Sequence, residues 1–257
     1  MEKVKISAVS YLNTKPMLFG LVKSPINAQI DLKLDIPSAC AEKLERGEVD
    51  LGLVPVAVIP HLSNPHIVSD FCIGTVGAVK TVGIFSQVPI ENITHLYLDF
   101  HSRTSVELVK VLLLEYWQLN PEFLPATEGF QQKIEGTTAG LIIGDRTMGL
   151  EDQFPYFYDL GEYWMKHTGL PFVFAAWVAN RKLPGEFLEQ FNEALKNGVE
   201  AIPELMLLLP EKDNFDLSAY FTHHISYYLD DKKKKALNLF LQKMKSPHRI
   251  LEIVENG

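Results

Sequence analysis

The strongest constraint on the fold is a repeated alternation of strand-like and helix-like patterns along the first two-thirds of the chain. Val4, Ile6 and Ala8 alternate with polar residues, and residues 30–36 alternate in the same way, as half-buried strands do. Segments with helical spacing separate such strands. This β-α-β-α-β rhythm predicts an α/β protein with a parallel, doubly wound sheet.

The second helix and the strand after it have clear boundary signals. We expect the helix to begin at Pro37 and Ser38, where the serine hydroxyl can accept from free backbone amides. Gly47 marks its end, a position at which a left-handed residue is usual. The next strand, residues 49–54, ends before Pro55, which cannot continue a central ladder.

The rhythm breaks once and then restarts. Residues 71–85 contain three glycines and no helical period, which predicts two extended segments and a bend. A helix is expected over Thr104–Trp117. The strands expected after the restart are Leu96–Asp99, Leu141–Ile143, Tyr156–Leu160 and Phe172–Ala179.

The restart predicts two lobes with a ligand cleft between them. We expect residues 1–88 and 178–257 to form the first lobe, which the C-terminal helices complete, and residues 89–177 to form the second lobe. The chain would cross between the lobes near residues 84–94 and 172–180.

Composition narrows the classes of function. The chain has 257 residues, with 24 basic against 32 acidic residues and a net charge of −8. We therefore expect no nucleic-acid partner, and we interpret the basic run Lys232–Lys235 as a solvated helix face. The sequence shows no membrane span and no apolar run typical of a secretory signal, which favours a cytoplasmic protein. Cys40 and Cys72 are expected to be buried, reduced thiols.

Polar residues cluster where a predicted strand leads into a helix, which is where sheets of this class bind ligands. Ser102, Arg103, Thr104 and Ser105 combine free helix-start amides, a positive dipole end and three hydroxyls. They could cradle a carboxylate or phosphate, and Arg103 could add a bidentate contact. The alternative interpretation is a Ser/Thr helix cap without a ligand.

Two other loops offer candidate functional groups. Residues 10–16 are rich in donors, and Asn13 can orient a hydroxyl or carboxylate or simply form an Asx-turn. Asp145 follows a predicted strand and is either a helix cap or a general base. No histidine has a carboxylate partner at metal-ligand spacing, so no metal site is expected. The residues alone thus predict a two-lobed anion binder and leave catalysis open.

Five segments of the chain resemble, in the same order, segments of one known family. They are residues 10–16 (SYLNTKP), 36–60, 98–113, 141–145 (LIIGD) and 159–177. These motifs are similar to those of the chorismate dehydratase (MqnA) family of menaquinone biosynthesis. The resemblance implies a periplasmic-binding-protein-like (type II) fold of two α/β lobes. It also implies a cofactor-free elimination of water from chorismate to give 3-[(1-carboxyvinyl)oxy]benzoate, the first step of the futalosine pathway.

The resemblance also implies roles for individual residues. Asn13 matches a functional asparagine, and Thr81 stands where the family has a functional serine, in a segment that lacks the usual proline. Ser102, Thr104 and Ser105 match its S-x-T-S anion loop. The residues expected to bind the dianionic substrate are Ser10, Ser38, Ser102, Arg103, Thr104, Ser105 and Asp145.

The proton acceptor and the class of protein leave alternatives. No histidine or glutamate falls in a cleft motif, so we expect the substrate's own enolpyruvyl carboxylate to take the proton, with Asp145 as the rival base. The protein could instead be a non-catalytic small-anion solute-binding protein or the sister enzyme 1,4-dihydroxy-6-naphthoate synthase. The opening motif, residues 11–16, favours the dehydratase. The sequence predicts no oligomeric state.

Overall fold

The computed structural model describes residues 3–210, 212 and 214–244, which contain eleven strands and eight helices. The strands are β1 (Val4–Val9), β2 (Ile30–Asp35), β3 (Leu51–Pro55), β4 (His66–Thr75), β5 (Val82–Ser86), β6 (His95–Leu98), β7 (Glu122–Pro125), β8 (Thr138–Ile143), β9 (Tyr156–Asp159), β10 (Phe172–Ala179) and β11 (Ser226–Tyr228). The helices are α1 (Lys15–Lys23), α2 (Pro37–Glu45), α3 (Arg103–Leu112), α4 (Leu160–Thr168), α5 (Gly185–Glu200), α6 (Ile202–Met206), α7 (Leu217–Ala219) and α8 (Asp231–Met244).

Two sheets form the centres of two lobes. The first sheet has the strand order β11-β4-β10-β3-β1-β2, and the second has the order β7-β6-β8-β5-β9. Helices α2 and α5 pack on the first sheet and α1 packs against α5, whereas α3 and α4 pack on the second sheet. The lobe boundaries at residues 88/89 and 177/178 stay a prediction; β5 lies in the second sheet and β10 in the first.

The sheets are mixed rather than purely parallel. β1 is parallel to β2 and β3, and β6 is parallel to β7 and β8, because helical crossovers join strands of this kind. β5 and β10, the first strands after the chain changes sheet, run antiparallel to both neighbours. The expectation of a parallel sheet is therefore correct only where β-α-β units build it.

The apolar patterns locate most elements. The alternation over residues 30–36 corresponds to β2, and the run Phe172–Ala179 is β10, buried along its whole length. The glycine-rich stretch forms β4 and β5 with a bend between them. β7 and β11 are not predicted, because each is a short strand at the edge of its sheet. Both cysteines are free and buried, as predicted, and burial raises the pKa of the Cys40 thiol to about 11.

The prediction that Ser38 caps α2 is wrong. Ile36 occupies the N-cap position and no side chain caps the helix, since Pro37 at the first helical position has no N–H that needs a partner. Ser38 lies one residue further on, inside the first turn. Gly47 does adopt the predicted left-handed conformation after the helix, with φ of +68°.

The interpretation of Lys232–Lys235 as a solvated face is wrong for one member. Lys233 is only 1% exposed, and its Nζ lies 2.9 Å from Oδ2 of Asp230. Its aliphatic stem packs over β4 close to Gly74, so the buried surface is mostly hydrocarbon. The other three lysines of the run are exposed.

Candidate active site

A cavity lies between the two lobes, at the carboxyl ends of β1, β3 and β8. Its empty space amounts to about 500 Å³ when the part open to solvent is included. Its polar lining residues are Tyr11, Asn13, Thr81, Ser102 and Ser105, and its other lining residues are apolar. Among the described residues, no charged side chain lines this cavity. A more open groove between β4, α5 and α8 shares no residue with it or with the sequence motifs.

The start of α3 forms one wall of the cavity. Ser102 is the N-cap, and its Oγ accepts from the N–H of Ser105 at 3.2 Å and lies 3.1 Å from the Ser105 hydroxyl. This is the helix cap that the sequence allowed. The cap also brings two hydroxyls and the positive end of α3 to the cavity, so capping and anion binding are compatible roles.

Arg103 and Thr104 point away from the cavity and join the two lobes. The Thr104 hydroxyl is buried and accepts from the N–H of Ala57 at 3.2 Å. The Arg103 guanidinium is half-exposed and lies 3.7 Å from a carboxylate oxygen of Glu42. The structure thus brings only Ser102 and Ser105 of the predicted cradle to the cavity wall.

Ser10 and Ser38 also lie outside the cavity lining. Ser10 is exposed, and its backbone N–H donates to the carbonyl of Asp35, which extends the pairing of β1 with β2. Ser38 is half-buried in the first turn of α2. The residue before it, Pro37, lines the cavity instead.

Asn13 and Thr81 both line the cavity, and Thr81 bonds to a buried hydroxyl that sequence reasoning missed. The Thr81 Oγ1 atom lies 2.9 Å from the hydroxyl of Tyr220. Asn13 Oδ1 accepts from the hydroxyl of Thr14 at 3.2 Å. Tyr220 begins a single turn of π-helix, a local structure that no residue pattern in the sequence indicates.

The loop before Thr81 is held in a constrained conformation. Lys80 has a φ of +68°, an uncommon value for a residue with a side chain. Asp159, the N-cap of α4, accepts from the N–H of Val79 at 3.1 Å and from that of Lys80 at 2.6 Å. These bonds fix the loop that carries Thr81, in a segment where the family's proline is missing.

Asp145 links the lobes instead of capping a helix. Its two carboxylate oxygens lie 3.1 and 3.2 Å from the N–H of Leu12, which belongs to the other lobe. Burial raises the pKa of Asp145 above the usual value, because this one backbone donor replaces only part of its hydration. Of the two roles that the sequence allowed, the helix cap is wrong, since the turn Gly144–Thr147 has no side-chain cap.

A second bond between the lobes lies beside Asp145. The hydroxyl of Tyr11 is 2.7 Å from Nδ1 of His101, and the two rings are nearly coplanar. Arg146 pairs with buried Asp99 at the same place. Burial raises the pKa of Tyr11 to about 12, and burial followed by the charge of Arg146 lowers the pKa of His101. A neutral tyrosine and a neutral imidazole therefore share this bond at neutral pH.

The absence of charge defines what the cavity can bind. An anion would meet neutral hydroxyls, the Asn13 amide and the amides at the start of α3. Within the described part of the chain, no group of three or more His, Cys, Asp or Glu residues could hold a metal ion. In the same residues, no helix combines the length and apolar character needed to cross a membrane.

The chain is similar in sequence to known proteins. Residues 4–246 match a family model described as menaquinone biosynthesis. A chorismate dehydratase of Thermus thermophilus is 25% identical over 234 residues, which cover 82% of this chain and 86% of the relative.

Solved structures show the fold. A protein of Archaeoglobus fulgidus aligns with a TM-score of 0.71 at 15% identity and covers 94% of this chain and 96% of its own. A Candida albicans protein with the generic periplasmic binding protein fold aligns with a TM-score of 0.62 at 11% identity, covering 98% and 94%. The predicted two-lobed periplasmic-binding-protein-like fold is therefore confirmed. From its sequence match and its motifs, the chain belongs to the menaquinone biosynthesis family and is similar to chorismate dehydratase.

Proposed function

We propose that the protein is a chorismate dehydratase, a carbon–oxygen lyase that removes water from chorismate to give 3-[(1-carboxyvinyl)oxy]benzoate. This reaction would be the first step of the futalosine pathway to menaquinone, carried out in the cytoplasm without a cofactor. The observation that carries the proposal is a neutral cavity that Asn13 and Thr81 line together with Ser102 and Ser105 from the start of α3.

The cavity can bind a small anion through neutral hydrogen-bond donors, which leave the charge of the anion in place. Chorismate has two carboxylates, and the start of α3 with Ser102 and Ser105 offers amide and hydroxyl donors for one of them. The amide of Asn13 and the hydroxyl of Thr81 provide donors for the other carboxylate or for the departing hydroxyl. Apolar walls around these donors strengthen each hydrogen bond by excluding water.

The elimination breaks the C3–H bond and the C4–O bond of the ring. The electron pair of the C3–H bond becomes the C3–C4 double bond, the C4 hydroxyl leaves as water after gaining a proton, and the ring becomes aromatic. Because C3 is vinylogous to the ring carboxylate, negative charge that develops at C3 spreads to that carboxylate. Donors fixed around it therefore stabilise the transition state.

The substrate's enolpyruvyl carboxylate is the proposed proton acceptor. It is attached next to C3, and an oriented internal base gains a large effective concentration. Asp145 is the rival base, but both of its oxygens accept from Leu12 and it does not line the cavity. Asp145 would instead support substrate binding by holding the lobes together.

The test is to incubate purified, metal-free protein with chorismate and to follow the products by chromatography with mass detection. We expect a product lighter by one water, with a benzoate spectrum and no need for added metal or nucleotide. Chorismate that binds but stays unchanged would favour a solute-binding protein. Chorismate that neither binds nor reacts would contradict the proposed substrate.

A further inference from the structure

We propose that Tyr220 is a positioning residue of this site, whose hydroxyl bonds Thr81 and sets how the Thr81 hydroxyl faces the substrate. The inference rests on the proposed function and extends it. Tyr220 lies more than a hundred residues from Thr81 in sequence, and its ring lies behind the cavity wall, outside the lining.

The position of Tyr220 is tightly fixed. Its side chain is 1% exposed, and its ring packs edge-on against Phe215 at 5.2 Å between centroids and lies tilted against Phe221 at 5.6 Å. The neighbouring strand adds a second tether, because the hydroxyl of Tyr227 donates to the main-chain carbonyl of Asn13 at 3.0 Å. The C-terminal segment thus holds Asn13 by its backbone and Thr81 by its side chain.

The hydroxyl of Tyr220 has one proton to donate, and its surroundings decide where that proton goes. Burial, together with the charges of Asp145 and Asp159, raises the pKa of Tyr220 far above neutrality, so the phenol stays protonated. The protonated phenol can donate its proton to Thr81 Oγ1, which lies 2.9 Å away.

This direction has a consequence at the cavity. If Thr81 accepts from Tyr220, the Thr81 proton must be donated elsewhere, and the cavity that it lines is the open direction. The Tyr220 bond then polarises the Thr81 hydroxyl, which becomes a stronger donor to the substrate than an isolated threonine would be.

The experiment is a double-mutant cycle on chorismate turnover with the full chain. We expect Tyr220→Phe to lower kcat by about 10-fold to 100-fold while changing KM by less than about 3-fold, because loss of the tether misplaces the Thr81 hydroxyl. Thr81→Val is expected to show a similar loss, and the double variant should be little worse than either single variant. Tyr228→Phe is the matched control, since this nearby tyrosine is exposed, and it should retain wild-type turnover.

Each outcome decides the inference. A loss of kcat in the double variant that equals the product of the two single losses would overturn the inference. A Tyr220→Phe variant that keeps its kcat and shows only a lower melting temperature would also overturn it. If wild-type protein turns over chorismate and Tyr220→Phe keeps the same kcat, Tyr220 has no positioning role. The proposed function then still holds. Wild-type protein without any turnover of chorismate overturns the proposed function, and this inference with it.

Discussion

Adjacent residues of one short turn, residues 11–13, make contacts with two different regions of the cleft. Tyr11 and Leu12 bond to His101 and Asp145 across the lobes, and we call these four residues the clasp. Asn13, the next residue, lines the cavity together with Thr81, which bonds Tyr220, and we call these three residues the floor. Clasp bonds must break when the lobes separate. Closure of the lobes and the proposed chemistry therefore depend on adjacent residues of the same turn.

The physical character of the two regions differs as well. The clasp contains a carboxylate and the imidazole that neighbours the Arg146–Asp99 pair, so its strength depends on charge and pH. The floor contains an amide and two hydroxyls, which keep their protonation state across the ordinary pH range. Variants of the floor should change kcat, whereas variants of the clasp should change KM and stability.

The largest effect is expected from Asn13→Ala. Loss of a donor that acts on developing charge costs on the order of 10²-fold to 10³-fold in kcat at comparable sites. The fold should survive, because Asn13 lies in a half-buried turn, and its main-chain carbonyl still accepts from Tyr227. Steady-state kinetics with chorismate and a thermal melt measure both quantities. An unchanged kcat would reduce Asn13 to a turn residue.

Two substitutions of Thr81 distinguish the effect of its hydroxyl on kcat from the effect of its methyl group. Thr81→Ser keeps the hydroxyl and should stay within about 3-fold of wild-type kcat, whereas Thr81→Val keeps the shape and should lose about 10-fold to 100-fold. The comparison uses the same steady-state assay. Equal kcat values for the two variants would show that the floor does not act through this hydroxyl.

A smaller effect, on binding, is expected from Gly144→Ala in the loop that carries Asp145. A Cβ at Gly144 would lie 2.7 Å from the Tyr11 ring, and the φ of +68° is itself unfavourable for alanine. The clasp could then close only with strain, which should raise KM by about 10-fold and cost roughly 1–2 kcal/mol of unfolding free energy. Gly149→Ala is the control, because it has a similar φ of +78° but no atom within 4 Å of its Cβ. A normal KM for Gly144→Ala would contradict a closed working state.

The smallest effect on turnover is expected from Asp145→Asn, since the amide oxygen can still accept from Leu12. We expect kcat within about 3-fold of wild type, whereas loss of a general base would cost about 10²-fold or more. A large loss of kcat would identify Asp145 as the base, so a residue of the clasp would take part in the chemical step.

The same variant makes a pH prediction. Burial raises the pKa of Asp145 in the folded protein. Its protonated form therefore contributes stability at pH values below the ordinary carboxyl pKa. That contribution is lost as the pH rises through the folded-state pKa. The melting temperature of Asp145→Asn minus that of wild type should therefore be larger at about pH 7 than at about pH 4. The opposite trend would mean that the carboxylate stabilises the clasp.

The sequence was informative where a local pattern determines the structure. Alternating apolar residues located β1 and β2, a continuous apolar run located β10, and a serine after a strand located the helix start at Ser102. These features depend on neighbours within a few residues, so composition and spacing reveal them. The donor-rich loop made Asn13 a candidate but left an ordinary turn as the alternative, and Thr81 came only from the family resemblance.

The sequence was uninformative where tertiary contacts decide. Thr104 and Ser105 are adjacent on one helix turn, yet one bonds to Ala57 in the first lobe and the other lines the cavity. Tyr220 reaches the floor from a C-terminal turn because the chain returns to the first lobe. Asp145 bonds to a backbone N–H that only lobe closure brings near. Such pairings depend on how the lobes meet, and no local spacing encodes that.

The most direct test of the separation between clasp and floor compares Asn13→Ala with Asp145→Asn on chorismate in one assay. The account predicts a loss of kcat on the order of 10²-fold or more for Asn13→Ala and a near-normal kcat for Asp145→Asn. The reverse order, with turnover lost in Asp145→Asn and kept in Asn13→Ala, would contradict it.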